Sequence, residues 1–103
     1  MRKLIFSIIF CCLLVPLLAE EATYYNNQGL DLLRKGEPEK ALSFFMSAEL
    51  LDQSNKHFKN NIAVSLMRLG RYEESIVYLN KAIELDPFYV KALCNMAVAQ
   101  FHL

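Results

Sequence analysis

Tryptophan is absent from this chain, and glycine, proline and cysteine number only three each in 103 residues. So little glycine and proline excludes long disordered linkers. Cys11 and Cys12 lie in an N-terminal apolar run, which leaves Cys94 alone beyond it. One cysteine closes no internal disulfide, so the domain after that run must be stable without one. There is no excess of charge either. Eleven basic residues balance eleven acidic ones, and setting aside Arg2 and Lys3 leaves nine against eleven. That excludes the basic footprint of a nucleic-acid binder. Beyond the run, one cysteine with His57 and His102 lacks the ligand pairing of a zinc site. Cys94 and His102 stand eight residues apart on one helix, about 12 Å along its axis, too far for a direct nucleophile–base pair. No glycine-rich phosphate loop follows a strand. The expectation is a non-catalytic chain with no catalytic residue, no metal and no cofactor.

What is present begins with an address. Met1-Arg2-Lys3 is a short positive segment, residues 4–18 form an uncharged and mostly apolar run, and Ala19 precedes Glu20-Glu21. This is the order of a secretory signal peptide, expected to span residues 1–19 with cleavage after Ala19. Pro16 favours an extended segment there. The run is shorter than the roughly 20 residues of a spanning helix, and an uncleaved membrane anchor is the alternative. A lipidated cysteine would end such a run after a small residue, whereas Cys11 follows Phe10 and the run continues to Leu18. The chain is therefore expected to be exported, periplasmic or secreted, or else anchored by its N-terminal segment.

Residues 20–103 read as five helices. Residues 24–36 end at Gly36, and residues 37–51 start with Pro38 in the first turn, where no amide bond is lost. Residues 58–69 end at Gly70. Tyr72, Ile76, Leu79, Ala82 and Ile83 mark one face of the fourth helix, closed by Asp86-Pro87. Residues 90–103 form the fifth. A step of 34 links Gly36 to Gly70, Leu32 to Leu66, Arg34 to Arg68, Ala48 to Ala82, Leu51 to Leu85 and Asp52 to Asp86. Asn27, Asn61 and Asn95 continue the same step three times.

A 34-residue unit of two helices around a glycine turn resembles the tetratricopeptide repeat. The resemblance covers residues 22–103, as a first repeat at 22–55, a second at 56–89 and the first helix of a third at 90–103. The second unit matches through Gly70, Tyr72, Ala82 and Asp86-Pro87, and the first through Tyr25, Gly29, Gly36, Ala41, Phe45 and Ala48. The chain departs from the family's pattern at Pro38, Gln53, Ala63 and Ser75. The resemblance implies an all-α, right-handed superhelical α-solenoid of antiparallel helix pairs. Small residues at Gly29, Ala41 and Ala48 would let helices touch, with Tyr25, Leu32 and Phe45 filling the space between units.

The resemblance also implies a concave groove lined by the first helix of each unit. It places there Asn26, Asn27, Leu30, Arg34, Asn60, Asn61, Val64, Met67, Arg68, Lys91, Asn95 and Val98, with Thr23, His57 and Lys91 near one lip. An apolar floor between an amide edge and a basic edge suits a protein or peptide partner of acidic character. Asn61 and Lys91 match the clamp with which some family members hold a terminal carboxylate. Asn26 and Asn95 stand where that clamp has basic residues, and Leu30 where it has asparagine. Arg34, Arg68 and His102 equally suit helix C-termini, where a cation favours the macrodipole. The fifth helix is apolar almost all round, and its Leu93, Met96 and Ala97 are expected to meet a second copy, a partner or an absent helix. The expected function is an exported scaffold that binds a protein or peptide in its groove. The alternative is an assembly subunit, or a shortened repeat protein, that docks or forms a homodimer through residues 90–103.

Overall fold

The computed structural model describes residues 2–103, and among these it contains five α-helices and no strand. They are α1 (Arg2–Arg34), α2 (Pro38–Leu51), α3 (Lys56–Arg68), α4 (Tyr72–Leu85) and α5 (Val90–Phe101). Consecutive helices pack as neighbours, and α3 touches α5 and α1 as well. The chain is thus a run of helix pairs, with α1, α3 and α5 side by side in one layer and α2 and α4 in the other.

The helix ends explain why the 34-residue step is so regular. Gly36 and Gly70 both adopt left-handed backbone, at φ 77° and 76°. The Gly36 amide donates to the Leu33 carbonyl and the Glu37 amide to the Leu32 carbonyl, while Gly70 and Arg71 donate to Met67 and Leu66. These are two copies of one glycine-terminated helix end, which satisfies carbonyls that would otherwise be orphaned. The second helix of each pair ends differently, on an extended aspartate. The Asp52 and Asp86 amides donate to the Ala48 and Ala82 carbonyls, and their Oδ1 atoms accept from the Ser54 and Phe88 amides. The Asn55 side chain caps α3 by accepting from the His57 and Phe58 amides.

Three clusters form the core along the stack. Ala22, Ala48 and Phe58 lie at one end; Leu33, Ala41, Phe45, Ile62 and Leu66 join α1, α2 and α3; and Ala63, Leu79, Ala82, Tyr89, Ala92 and Ala99 join α3, α4 and α5. The expected small residues Ala41 and Ala48 are fully buried, as is Phe45.

The N-terminal segment differs from expectation in one respect. Pro16 does not open an extended segment; α1 runs through it without a break from Arg2 to Arg34. A proline inside a helix removes one hydrogen bond and crowds one carbonyl, and the helix continues on both sides of it. Residues 4–17 are exposed and Leu18 is partly covered, and α1 is long and apolar enough to cross a membrane, a description that signal sequences also meet.

Candidate functional site

The layer of α1, α3 and α5 presents a polar cavity of about 250 Å³ lined by Asn26, Leu30, His57, Asn60, Asn61, Tyr89 and Lys91. Asn26 and Leu30 come from the middle of α1, and Asn60 and Asn61 from the same level of α3. His57 enters from the first turn of α3, which Asn55 fixes by its cap. Tyr89 and Lys91 flank the start of α5.

Amide pairs tie the three helices together here. Asn61 Nδ2 donates to Asn26 Oδ1 at 2.8 Å, and Asn95 Nδ2 donates to Asn60 Oδ1 at 3.0 Å. Asn60 is buried, so its bond to Asn95 offsets the cost of taking an amide out of water. Each bond uses one of an amide's several hydrogen-bonding valences, so Asn26 and Asn61 keep free capacity toward the cavity. His57 Nδ1 lies 3.0 Å from the Tyr89 hydroxyl, with the rings edge-to-face. Burial of Tyr89 raises its phenol above the ordinary range, and the Asp86 carboxylate adds to that. Lys56 sits over the Tyr89 ring, 5.0 Å from its centre, and pairs with Asp86. Lys91 is the exposed ammonium among the lining residues.

The remaining expected groove residues divide. Asn27 is exposed, and Val98 is about half exposed. Val64 and Met67 are half-buried against the core clusters, so they serve packing more than the groove floor. Arg34 pairs on the surface with Asp31 in its own helix. Arg68 is turned to structure, its Nη1 donating to the Leu33 carbonyl at 2.8 Å. It thus caps the end of α1, and the cation at a helix C-terminus acts on the neighbouring helix. His102 stacks flat on Tyr72, with ring centres 4.5 Å apart. Thr23 is exposed and bonds the Ala19 carbonyl within α1. On α5, Leu93 and Ala97 are exposed while Met96 is half-buried against the last cluster.

Two features were not legible in the spacing. Cross-helix partners stand 35 residues apart, not 34, in Asn26–Asn61, Asn60–Asn95 and Leu33–Arg68. In each of these bonds a residue meets not its equivalent but the next residue along in the following helix. Tyr89 was also missed as a lining residue, because its partner His57 stands at a different, non-repeating separation.

The family profile for the tetratricopeptide repeat matches residues 58–89. A protein of Dictyostelium discoideum named "Protein STIP1 homolog" is 32% identical over 85 residues, covering 82% of this chain and 15% of that protein. An uncharacterized protein of Methanocaldococcus jannaschii is 39% identical over 56 residues, covering 54% of this chain and 65% of that protein. This chain thus spans less than two thirds of either relative. Among solved structures, the second TPR of Spaghetti (RPAP3) bound to the HSP90 peptide SRMEEVD superposes with a TM-score of 0.78 at 24% identity, over 81% of this chain and 77% of that one. Its likeness concerns the fold. With the paired glycine-ended helices, the 34-residue step and the matched profile taken together, residues 58–89 are a tetratricopeptide repeat and the chain has the fold of that family.

Proposed function

We propose that this chain is a non-catalytic, exported binding module that holds an acidic peptide segment against Asn26, Asn61, His57 and Lys91. The observation that carries the reading is the cavity itself, where free amide valences stand beside one exposed ammonium. The amides suit a peptide backbone, having both donor and acceptor, and Lys91 suits a carboxylate. The peptide SRMEEVD in the structurally similar TPR of Spaghetti has three acids among its last four residues, and it is the probe of choice. Because Asn26 and Asn95 replace basic residues of the family's carboxylate clamp, acidic side chains matter more here than the peptide's terminus.

Calorimetric titration of SRMEEVD into the chain tests this. A charge-assisted contact contributes about 1.5–3 kcal/mol, so Lys91→Glu should weaken binding by roughly tenfold or more, since 1.4 kcal/mol is a factor of ten. Amidating the peptide terminus should change affinity little. Equal affinity for Lys91→Glu and the unaltered chain would remove the reading.

Retention of the N-terminal segment is favoured by α1 itself, which crosses the Ala19–Glu20 bond unbroken and buries Ala22 completely. The N-terminal sequence of the purified protein distinguishes the two cases: it begins at Met1 or Arg2 if the segment is kept, and at Glu20 if it is removed. Assembly through α5 is a second reading, supported by the exposure of Leu93. Since Met96 is half-buried, Leu93→Glu is the cleaner substitution; it should shift a dimer to monomer in sedimentation, and a monomeric unaltered chain excludes this reading.

A further inference from the structure

The two ends of the helix stack differ in chemistry. At one end lie the turns after α1 and α3, with Lys35, Gly36, Gly70 and Arg71, all exposed. At the other end lie the connections from α2 to α3 and from α4 to α5, and this is the end from which the apolar part of α1 emerges. The antiparallel order of the helices requires that placement. The Lys56–Asp86 pair holds the two connections side by side, and Ala22 packs with Ala48 and Phe58 at the same level.

This second end carries several exposed apolar side chains beside a polar cleft lined by Asp52, Ser54, Asn55, Lys56, His57 and Asp86. Phe88 is 85% exposed, Leu50 76% and Val90 67%, and Tyr24 and Leu85 are also exposed. Its charges are mixed: Lys56 pairs with Asp86 and Lys59 with Glu49, while Glu20, Glu21, Glu84 and Lys91 are exposed. No basic patch would draw it to anionic headgroups. Only Ala19, Glu20 and Glu21 separate the apolar run from buried Ala22, so no flexible linker holds the domain away from whatever surrounds residues 4–18.

Length adds a direction. A 15-residue run spans about 22 Å as a helix, against about 30 Å of bilayer hydrocarbon. A short span is accommodated by thinning the bilayer or drawing its flanks inward. Either response brings the base of the domain to the lipid surface. Aromatic and aliphatic side chains are suited to that interfacial layer.

We propose that Phe88, Val90, Leu50 and Leu85 form a membrane-resting face, which seats the base of the domain in the interfacial layer of the bilayer that holds residues 4–18. This rests on the reading above that the N-terminal segment is retained. It fixes the orientation of the peptide cavity, which opens beside that base through Tyr89 and Lys91, so a bound peptide would lie close to the membrane surface.

The absence of tryptophan makes the test clean. Phe88→Trp gives a single emitter on the proposed face, and Phe101→Trp a control that is equally exposed, at 84%, near the opposite end. The full chain is reconstituted into phosphatidylcholine vesicles with and without brominated acyl chains. The expected result is co-sedimentation of both variants, with emission at position 88 blue-shifted and quenched several-fold more strongly than at position 101. Failure to co-sediment overturns both the retained segment and the membrane-resting face. Co-sedimentation with both positions equally quenched, or both in water, overturns the face alone. Quenching at position 88 that requires anionic lipid also overturns it, because the face is apolar and not basic.

Discussion

Gly29 and Phe45 show how residue size sets the distance between α1 and α2. A Cβ at position 29 would lie 2.5 Å from Phe45 Cε1, and the Phe45 ring is fully buried. One unit later, Ala63 and Leu79 share a core cluster at the corresponding positions, so a larger small residue accompanies a smaller large one. Gly29→Ala gains about 1 kcal/mol of helix propensity, yet overpacking of a closed core costs about 1–3 kcal/mol. The expected outcome is a net loss in urea unfolding. Adding Phe45→Leu to Gly29→Ala should recover part of it, reproducing the second unit's combination. Asp86 gives a pH-dependent counterpart. A hydrogen bond from Lys56, then one from the Phe88 amide, holds its carboxyl below the usual carboxylate range. The unfolded carboxyl takes up its proton first as pH falls, so this contribution is present above the ordinary carboxylate range and is lost as pH falls through the lowered native value. Asp86→Asn should therefore lower stability at neutral pH while leaving the acid value little changed, so that the acid limb flattens, as read from urea midpoints at neutral and acid pH.

At the scale of elements, the turns were the most legible part. Gly36 and Gly70 signal their helix ends because left-handed backbone favours glycine, and Asp52 and Asp86 because their side chains close a local turn. What lay beyond the sequence was contact between helices. A repeat of 34 identifies equivalent positions, but neighbouring helices are offset, and contacts fall at 35. That offset turns Arg68 from an expected groove cation into the cap of α1. Arg68→Leu should cost about 1.5 kcal/mol of stability, the low end for a charged hydrogen bond because Arg68 is exposed, and should leave binding of SRMEEVD nearly unchanged. Arg34→Leu, which removes only an exposed pair in its own helix, should alter neither. Thermal unfolding and calorimetry on both variants read these differences.

At the scale of the molecule, periodicity made the solenoid visible, since each apolar face needs a neighbouring unit to cover it. The continuity of α1 was less visible. Pro16 and the change in polarity at Glu20 both suggest a boundary, yet residues 2–34 form a single helix. The cavity was legible through Asn26, Leu30, Asn60, Asn61 and Lys91, and hidden at Tyr89, whose place depends on how the α4–α5 connection folds over His57.

The central claim is that an acidic peptide lies in this cavity and not on the layer of α2 and α4. Side-chain and backbone NMR shifts during titration with SRMEEVD test it most directly. The expected result is movement of the Asn26 and Asn61 side-chain amides and of the Lys91 backbone amide, with Val77 and Lys81 on α4 unmoved. Shifts confined to α4, or none at saturating peptide, would contradict it.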